Sequence, residues 1–258
     1  MKDLWSDDDC GFDDALGCCA YGSRLLGGDR SLVLHGGGNT SVKADWTDIT
    51  GPTVDALYVK GSGWDLASIE APGFTPLPLD RLHDLLGLDA LSDADMMAEL
   101  SAARLRADAP QPSVETLLHA YLPFRAIQHS HADVILGLTN VADAEDTLAE
   151  VYGDDVVVVP YVMPGFDLAK AVQDCWADQA HEGTVGMVLR HHGLFTFGDT
   201  TRAAYARHVD LISRAESFLD RVVPHEPAGP CEAAEAVLTE LADLRHSISV
   251  AADRPMVL

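Results

Sequence analysis

The stretch AIQHSHADVI, Ala126 to Ile135, places two histidines two residues apart inside an apolar run. With its neighbours it predicts a strand that runs into a helix. Residues i and i+2 of a strand point to the same face, about 6.6 Å apart along the chain. His129 and His131 can therefore bind one metal ion while Ser130 faces away. Taken alone, the pair is equally well explained as two histidines that happen to share a strand face.

A third imidazole is available downstream, in the run TVGMVLRHHGLFTFG. This run predicts two strands, or one bent strand, around Gly193. Alternation lets only one of His191 and His192 share a face with the first pair, and periodicity does not say which. Three histidines and an open coordination position are typical of a catalytic zinc site.

Two glycine turns follow apolar strands, HGGGNTSVK at His35–Lys43 and KGSGWDL at Lys60–Leu66. The first lies in SLVLHGGGNTSVKADW, which predicts a short strand, a glycine turn and a second strand. Glycines let backbone N–H groups form an anion-binding nest. Lys43 and Lys60, two of four lysines in the chain, favour a phosphate site over a plain hairpin turn. Neither turn matches a nucleotide P-loop or a dinucleotide-binding motif.

Glu115 lies in PSVETLLHAY, which predicts a helix with Ser113 as its N-cap. A carboxylate in the first helical turn has an ordinary structural role there, and the local pattern favours that role over chemistry. The proline-rich stretch APGFTPLPL, residues 71 to 79, predicts a loop.

Composition sets further limits. The chain has 258 residues, 47% of them hydrophobic, which favours one domain over residues 1–258. A net charge of −24 argues against nucleic-acid partners and anionic membrane surfaces. No apolar run reaches the roughly 20 residues of a membrane span, and the acidic N-terminus lacks a signal core, so we expect a cytoplasmic protein. The five cysteines are expected to be free thiols.

The motifs HGGGNTSVK, KGSGWDL, PSVETLLHA, HSHAD and HHGLFTFG occur in the order found in the class II aldolase/adducin family. The chain resembles this family from about residue 12 to residue 222, and most resembles the N-terminal aldolase domain of bifunctional rhamnulose-1-phosphate aldolase/dehydrogenase proteins. Residues 223–258 would be a C-terminal helical extension. Those relatives continue into a dehydrogenase domain, whereas this chain ends at Leu258. It is either a stand-alone aldolase-like protein or one domain of a longer protein, and no dehydrogenase activity is carried over.

The resemblance implies roles for particular residues. It makes His129, His131 and His192 the ligands of Zn2+ or of another divalent metal, which selects His192 over His191. Glu115 would be the acid/base residue. The residues that would bind the substrate phosphate are Gly38, Asn39, Thr40, Ser41, Ser62 and Gly63.

The resemblance also implies a fold and a reaction. The fold is a three-layer α/β/α sandwich around a mainly antiparallel sheet. The reaction is cleavage of a ketose 1-phosphate to dihydroxyacetone phosphate and an aldehyde. Family aldolases are usually homotetramers in which a neighbouring subunit's tyrosine completes the site, and Tyr152 is the candidate here. The family also contains sugar-phosphate epimerases, dehydratases and non-catalytic adducins, which stay as alternatives.

Overall fold

Seven strands form one sheet in the computed structural model, which describes residues 1–11, 14–223 and 235–256. The strands are β1 (Asn39–Thr47), β2 (Thr53–Lys60), β3 (Phe74–Pro78), β4 (Ala126–Ser130), β5 (Val156–Val159), β6 (Gly186–Leu189) and β7 (Gly193–Gly198). Their order across the sheet is β3-β2-β1-β4-β7-β6-β5. The pair β5–β6 is parallel and the other pairs are antiparallel. The strand with the H-x-H pair is therefore central.

Helices within residues 1–222 cover both faces of the sheet. They are α1 (Asp7–Cys10), α2 (Ala15–Gly27), α3 (Leu79–Leu86), α4 (Asp93–Ala102), α5 (Thr116–Tyr121), α6 (Asp133–Thr139), α7 (Ala144–Tyr152), α8 (Phe166–Gln179) and α9 (Thr201–Val222). A further described helix is α10 (Glu235–Ala251). Longer helices such as α8 and α9 pack by burying one apolar face, because a helix of this length is marginal on its own in water.

Side-chain alternation along the strands produces the two helical layers. On one face, Ile127 and Phe197 pack in a core with residues of α3, α5 and α8. On the other face, Leu194 packs in a core with residues of α2, α6, α7 and α9. The three-layer α/β/α sandwich with a mainly antiparallel sheet is confirmed.

Two local expectations were wrong. Residues 74–78, expected to lie in a loop, form β3 at the sheet edge, where Pro76 and Pro78 are tolerated because an edge strand needs fewer backbone donors. Residues 31–34, expected to form a strand, form an irregular segment before the glycine turn. Their apolar character has another cause, because Leu32 and Val33 are buried core residues.

The run around Gly193 folds as two strands, β6 and β7, which pair with each other in an antiparallel hairpin. The turn between them holds Arg190 to His192. β7 pairs on its other side with β4, with His129 opposite Phe195 and Ser130 opposite Leu194. This pairing brings the second pair of histidines to the end of the strand that carries the first.

A buried histidine on α9 ties the two central strands together. His208 Nε2 lies 2.7 Å from Ser130 Oγ on β4, and His208 Nδ1 lies 2.9 Å from Thr196 Oγ1 on β7. Thr196 Oγ1 donates to the Ala204 carbonyl at 2.9 Å. Burial lowers the pKa of His208 to about 3, so its imidazole is neutral at physiological pH.

The described residues divide into two compact units, Met1–Arg221 and Val222–Leu258. The second contains α10. Three of the cysteines, Cys10, Cys19 and Cys175, are free thiols, in agreement with expectation, whereas Cys231 lies outside the described residues. In the part of the chain that the structure describes, no helix combines the length and the apolar character needed to cross a membrane.

We predict that His208 makes the protein less stable in acid. Its pKa is about 6.5 in the unfolded chain and about 3 in the folded protein. Between these values the unfolded chain binds a proton that the folded protein excludes, so stability falls as pH drops from about 6.5 toward 3. His208→Gln should flatten the pH dependence of the free energy of unfolding by up to about 1.4 kcal/mol per pH unit. Urea unfolding between pH 7 and pH 4.5, with a metal chelator present, checks this; equal slopes for both proteins contradict it.

Candidate metal and substrate site

Three histidines meet at the end of the central strand. His129 lies near the C-terminal end of β4, His131 follows directly after that strand, and His192 lies in the turn between β6 and β7. One ring nitrogen of each lies within 4.8 Å of those of the other two. Among the described residues this is the one group of three or more His, Cys, Asp or Glu side chains with such an arrangement. Three imidazole nitrogens at this spacing can share one metal ion.

Gly193 explains how the two histidine segments come so close. A Cβ atom on Gly193 would lie 2.2 Å from the carbonyl oxygen of Ser130 and 3.0 Å from Cε1 of His129. Only glycine therefore allows β7 to start directly against the end of β4. The close approach puts His192, the preceding residue, beside the H-x-H pair.

His191 is held apart from the cluster. Its backbone has a φ of +57°, a left-handed conformation that is uncommon for a residue with a Cβ. Its side chain is exposed, and its Nδ1 lies 2.5 Å from Asn140 Oδ1. The structure thus brings His192 to the H-x-H pair and directs His191 away from it, a choice that alternation alone left open.

The protonation of His129 suits metal binding. Its Nδ1 lies 3.0 Å from the Leu194 carbonyl, so Nδ1–H donates there and Nε2 keeps its lone pair. Burial lowers the pKa of His129 well below its ordinary value and also lowers the pKa of His131. Nε2 of His129 and Nδ1 of His192 are buried and lack a hydrogen-bond partner among the described residues. Such atoms are costly to bury, and a metal ion would satisfy them.

Glu115 lies directly against this cluster. Its Oε1 is 3.4 Å from Nε2 of His129 and 3.2 Å from Nε2 of His192. Burial would raise the pKa of Glu115, but the imidazoles of His129 and His192 outweigh burial and lower it below the ordinary value. The carboxylate is therefore ionised at neutral pH.

The first glycine turn holds Glu115 in place. The Asn39 amide donates to Ser113 Oγ at 2.7 Å and lies 3.4 Å from Oε2 of Glu115. Ser113 Oγ in turn accepts from the backbone N–H of Glu115 at 3.2 Å. Glu115 thus has a positioned side chain at the start of α5. Glu115 itself, not Ser113 as expected, is the N-cap residue, and its carboxylate makes no capping hydrogen bond.

The two glycine turns touch each other beside the cluster. A Cβ atom on Gly36 would lie 3.3 Å from the Cα of Gly63. Lys60 Nζ donates to the Gly36 carbonyl at 2.8 Å and joins the turns. The Lys60 side chain is buried, and its charge interacts with Glu115 and His131. Burial lowers the pKa of Lys60, and the carboxylate of Glu115 opposes that shift. The site thus has a basic side chain in a strongly acidic chain.

The residues expected to bind phosphate differ in their exposure and in whether their side chains already have hydrogen-bond partners. Gly38 has a φ of +67°, and a Cβ there would lie 2.5 Å from Val33 Cγ1, so the turn requires glycine. Ser62 and Gly63 are exposed at the second turn. Ser41 Oγ is buried and lies 2.7 Å from Nδ1 of His119. Thr40 faces the opposite side of the sheet, where its Oγ1 lies 2.7 Å from Ser23 Oγ, which leaves only its backbone to the turn.

Two expectations need correction. Lys43 does not reach the glycine turn, because it lies four residues into β1; its Nζ donates to the carbonyls of Ala120 and Leu122 at the end of α5. Burial lowers its pKa to about 8.

Tyr152 cannot extend into a neighbouring subunit's site, because it is 1% exposed in the α7–α9 core and its hydroxyl donates to the Leu211 carbonyl at 3.0 Å.

His119 is a residue near the site that the sequence motifs did not single out. It follows Glu115 by four residues and is fully buried against Phe195. Burial lowers its pKa to about 4 despite the attraction of Glu115. The i, i+4 spacing in ETLLH was the available signal, since residues four apart share a helix face.

Comparisons with known proteins agree with this fold. The family model described as class II aldolase and adducin N-terminal domain matches residues 19–219. The N-terminal class II aldolase domain of a conserved protein from Thermoplasma acidophilum is 44% identical, with a TM-score of 0.78 over 85% of this chain and 99% of that one. L-fuculose-1-phosphate aldolase from Thermus thermophilus shares the fold at 19% identity, with a TM-score of 0.52 over 81% of this chain and 98% of that one.

A curated relative is the uncharacterized oxidoreductase YuxG of Bacillus subtilis (strain 168). It is 38% identical over 210 residues. The match covers 81% of this chain and 30% of the relative's length.

Gly193→Ala is expected to separate β7 from β4 and to weaken metal binding, because a Cβ has no space against the Ser130 carbonyl. The free energy of unfolding should fall by about 1–3 kcal/mol, the usual cost of overpacking. Gly137→Ala is the matched control: its Cβ would meet nothing nearer than 3.4 Å, and alanine favours the helix. Urea unfolding and zinc titration check both variants, and a Gly193→Ala protein with wild-type stability and zinc affinity contradicts the packing argument.

Proposed function

The chain belongs to the class II aldolase and adducin family, and on that basis we propose that it is a zinc-dependent aldolase that cleaves a ketose 1-phosphate. The products would be dihydroxyacetone phosphate and an aldehyde. The observation that carries the proposal is the cluster of His129, which is buried, with the partly exposed His131 and His192, and with the carboxylate of Glu115 against it.

His129, His131 and His192 would hold the metal. Neutral imidazoles suit zinc, and three of them leave a coordination position for substrate. The unpartnered ring nitrogens of His129 and His192 support this assignment. When bound, a divalent cation supplies Lewis-acid polarisation of the substrate's carbonyl oxygen.

Glu115 would be the group that moves the proton. Its carboxylate is ionised and fixed by Asn39, and it lies within 3.4 Å of two of the three imidazoles. In cleavage of a ketose 1-phosphate, a base takes the proton of the hydroxyl on carbon 4, the bond between carbons 3 and 4 breaks, and carbon 3 is then protonated. A carboxylate positioned at the reacting atoms can accept a proton and return it.

The two glycine turns would hold the phosphate. Gly38, Asn39, Ser41, Ser62 and Gly63 belong to these turns or adjoin them, and Thr40 would contribute only its backbone. Backbone N–H groups of such turns bind phosphate. The buried ammonium of Lys60 supports this role, because it offsets the acidic charge of the chain at the point where the turns meet.

No oxidoreductase activity is proposed. The relative that carries this word in its name is matched over 30% of its length, and the name describes that whole protein. The aldolase family model, in contrast, matches residues 19–219 of this chain.

Glu115→Gln should lower kcat by about 10²–10⁴-fold, the usual contribution of a general acid–base residue, while zinc stays bound. The amide keeps the size of the carboxylate but cannot accept the proton. The turnover of rhamnulose 1-phosphate and of fuculose 1-phosphate is measured for wild-type and variant proteins loaded with zinc. The products are followed by NMR. Metal content is measured on the same samples.

Glu182→Gln is the control, since Glu182 is an exposed carboxylate in a turn; it should leave turnover unchanged. Release of dihydroxyacetone phosphate by the wild type, lost in Glu115→Gln, supports the proposal. Epimerised or dehydrated product in place of cleavage contradicts the aldolase assignment. Unchanged turnover in Glu115→Gln contradicts the role of Glu115.

A further inference from the structure

We propose that His208 is a positioning residue for the metal-binding strand, acting through Ser130. The inference rests on the proposed function, because it requires that His129 and His131 bind a metal. It assigns a role to the residue between those two ligands and to a histidine on the opposite side of the sheet. His208 itself touches neither the ligands nor the space that substrate would fill.

The hydrogen bonds around His208 have one consistent direction. Thr196 Oγ1 has one proton and donates it to the Ala204 carbonyl at 2.9 Å. It must therefore accept from Nδ1–H of His208, 2.9 Å away. A neutral imidazole protonated at Nδ1 has a lone pair at Nε2, so Ser130 Oγ donates to Nε2 at 2.7 Å.

This chain of bonds fixes three elements to one another. Ala204 and His208 belong to α9, Thr196 to β7 and Ser130 to β4. Ser130, Thr196 and His208 are fully buried, where hydrogen bonds are protected from competition by water and unpaired groups are costly. An imidazole can bridge two hydroxyls on different strands because its two nitrogens lie on opposite sides of the ring.

Ser130 passes this restraint to the metal ligands through the backbone. It lies between His129 and His131, and its carbonyl oxygen is the atom against which Gly193 packs. A shift of Ser130 would move both ligands and the start of β7, next to His192. Strand alternation places the Ser130 side chain on the face opposite His129. One face of β4 therefore presents the imidazole of His129, and the other face presents the hydroxyl that bonds to His208.

The neighbouring polar groups on this face do not replace the bridge. Ser23 and Thr40 bond to each other one strand away. Gln128, two residues before Ser130, is buried and its amide atoms have no hydrogen-bond partner within the described residues. Among the described residues, the bond between Ser130 and His208 is therefore the side-chain hydrogen bond between β4 and α9 that lies nearest to the metal ligands.

The test measures zinc affinity directly: metal-free protein competes with a chromogenic chelator for zinc. Ser130→Ala, Thr196→Val and His208→Gln each interrupt the chain, and each should weaken zinc binding by about tenfold, the effect expected when groups that orient metal ligands are lost. Thr196→Ser keeps the hydroxyl and should keep wild-type affinity. Ser23→Ala removes a buried hydroxyl on the same face and should leave zinc affinity unchanged.

A purely structural role would lower thermal stability in all of these variants without separating Ser130→Ala from Ser23→Ala in zinc affinity. Equal affinities for those two variants overturn the inference while leaving the proposed function intact. Wild-type protein that binds no zinc overturns the proposed function itself. If His208→Gln does not fold, the zinc affinities of Ser130→Ala and Thr196→Val are compared with that of Thr196→Ser. Equal affinities in these three variants overturn the inference.

Discussion

The contact between Gly193 and the carbonyl of Ser130 is the constraint on which the site depends. A Cβ atom at Gly193 would lie 2.2 Å from that oxygen, so the start of β7 reaches the end of β4 only because the residue there is glycine. The contact sets the register of the two strands and places His192 beside the H-x-H pair. Local features such as the left-handed backbone of His191 follow from the tight turn that this approach requires.

The central strand has a different chemical task on each face. His129 stacks on Phe195 with ring centroids 4.1 Å apart, and this apolar environment keeps the imidazole neutral and able to bind a metal. On the other face Ser130 is tied to α9 through His208. Lys60 is buried as well and joins the two glycine turns, so a basic side chain lies beside the cluster in a chain with a net charge of −24.

Local patterns predicted part of this arrangement. The H-x-H spacing predicts that both histidines reach one point, and they do, although the strand ends at Ser130 and His131 directly follows it. The sandwich follows from the family motifs. What the sequence lacked was three-dimensional position. Lys43 and Lys60 both adjoin glycine turns in sequence, but only Lys60 lies at the strand end that meets the turn. Tyr152 was assigned by resemblance in a segment without a motif, and its apolar neighbours bury it in the core. The edge strand containing Pro76 was read as a loop because proline is a loop signal unless the strand's place in the sheet is known.

Zinc stoichiometry in two adjacent variants, His191→Asn and His192→Asn, separates the proposed third metal ligand from its neighbour. The substitutions are chemically identical, and asparagine tolerates the left-handed backbone at residue 191. The account predicts one tightly bound zinc per chain in the wild type and in His191→Asn, and its loss in His192→Asn with the circular dichroism spectrum unchanged. Tight zinc retained in a folded His192→Asn protein, or lost in His191→Asn alone, would contradict the three-histidine site.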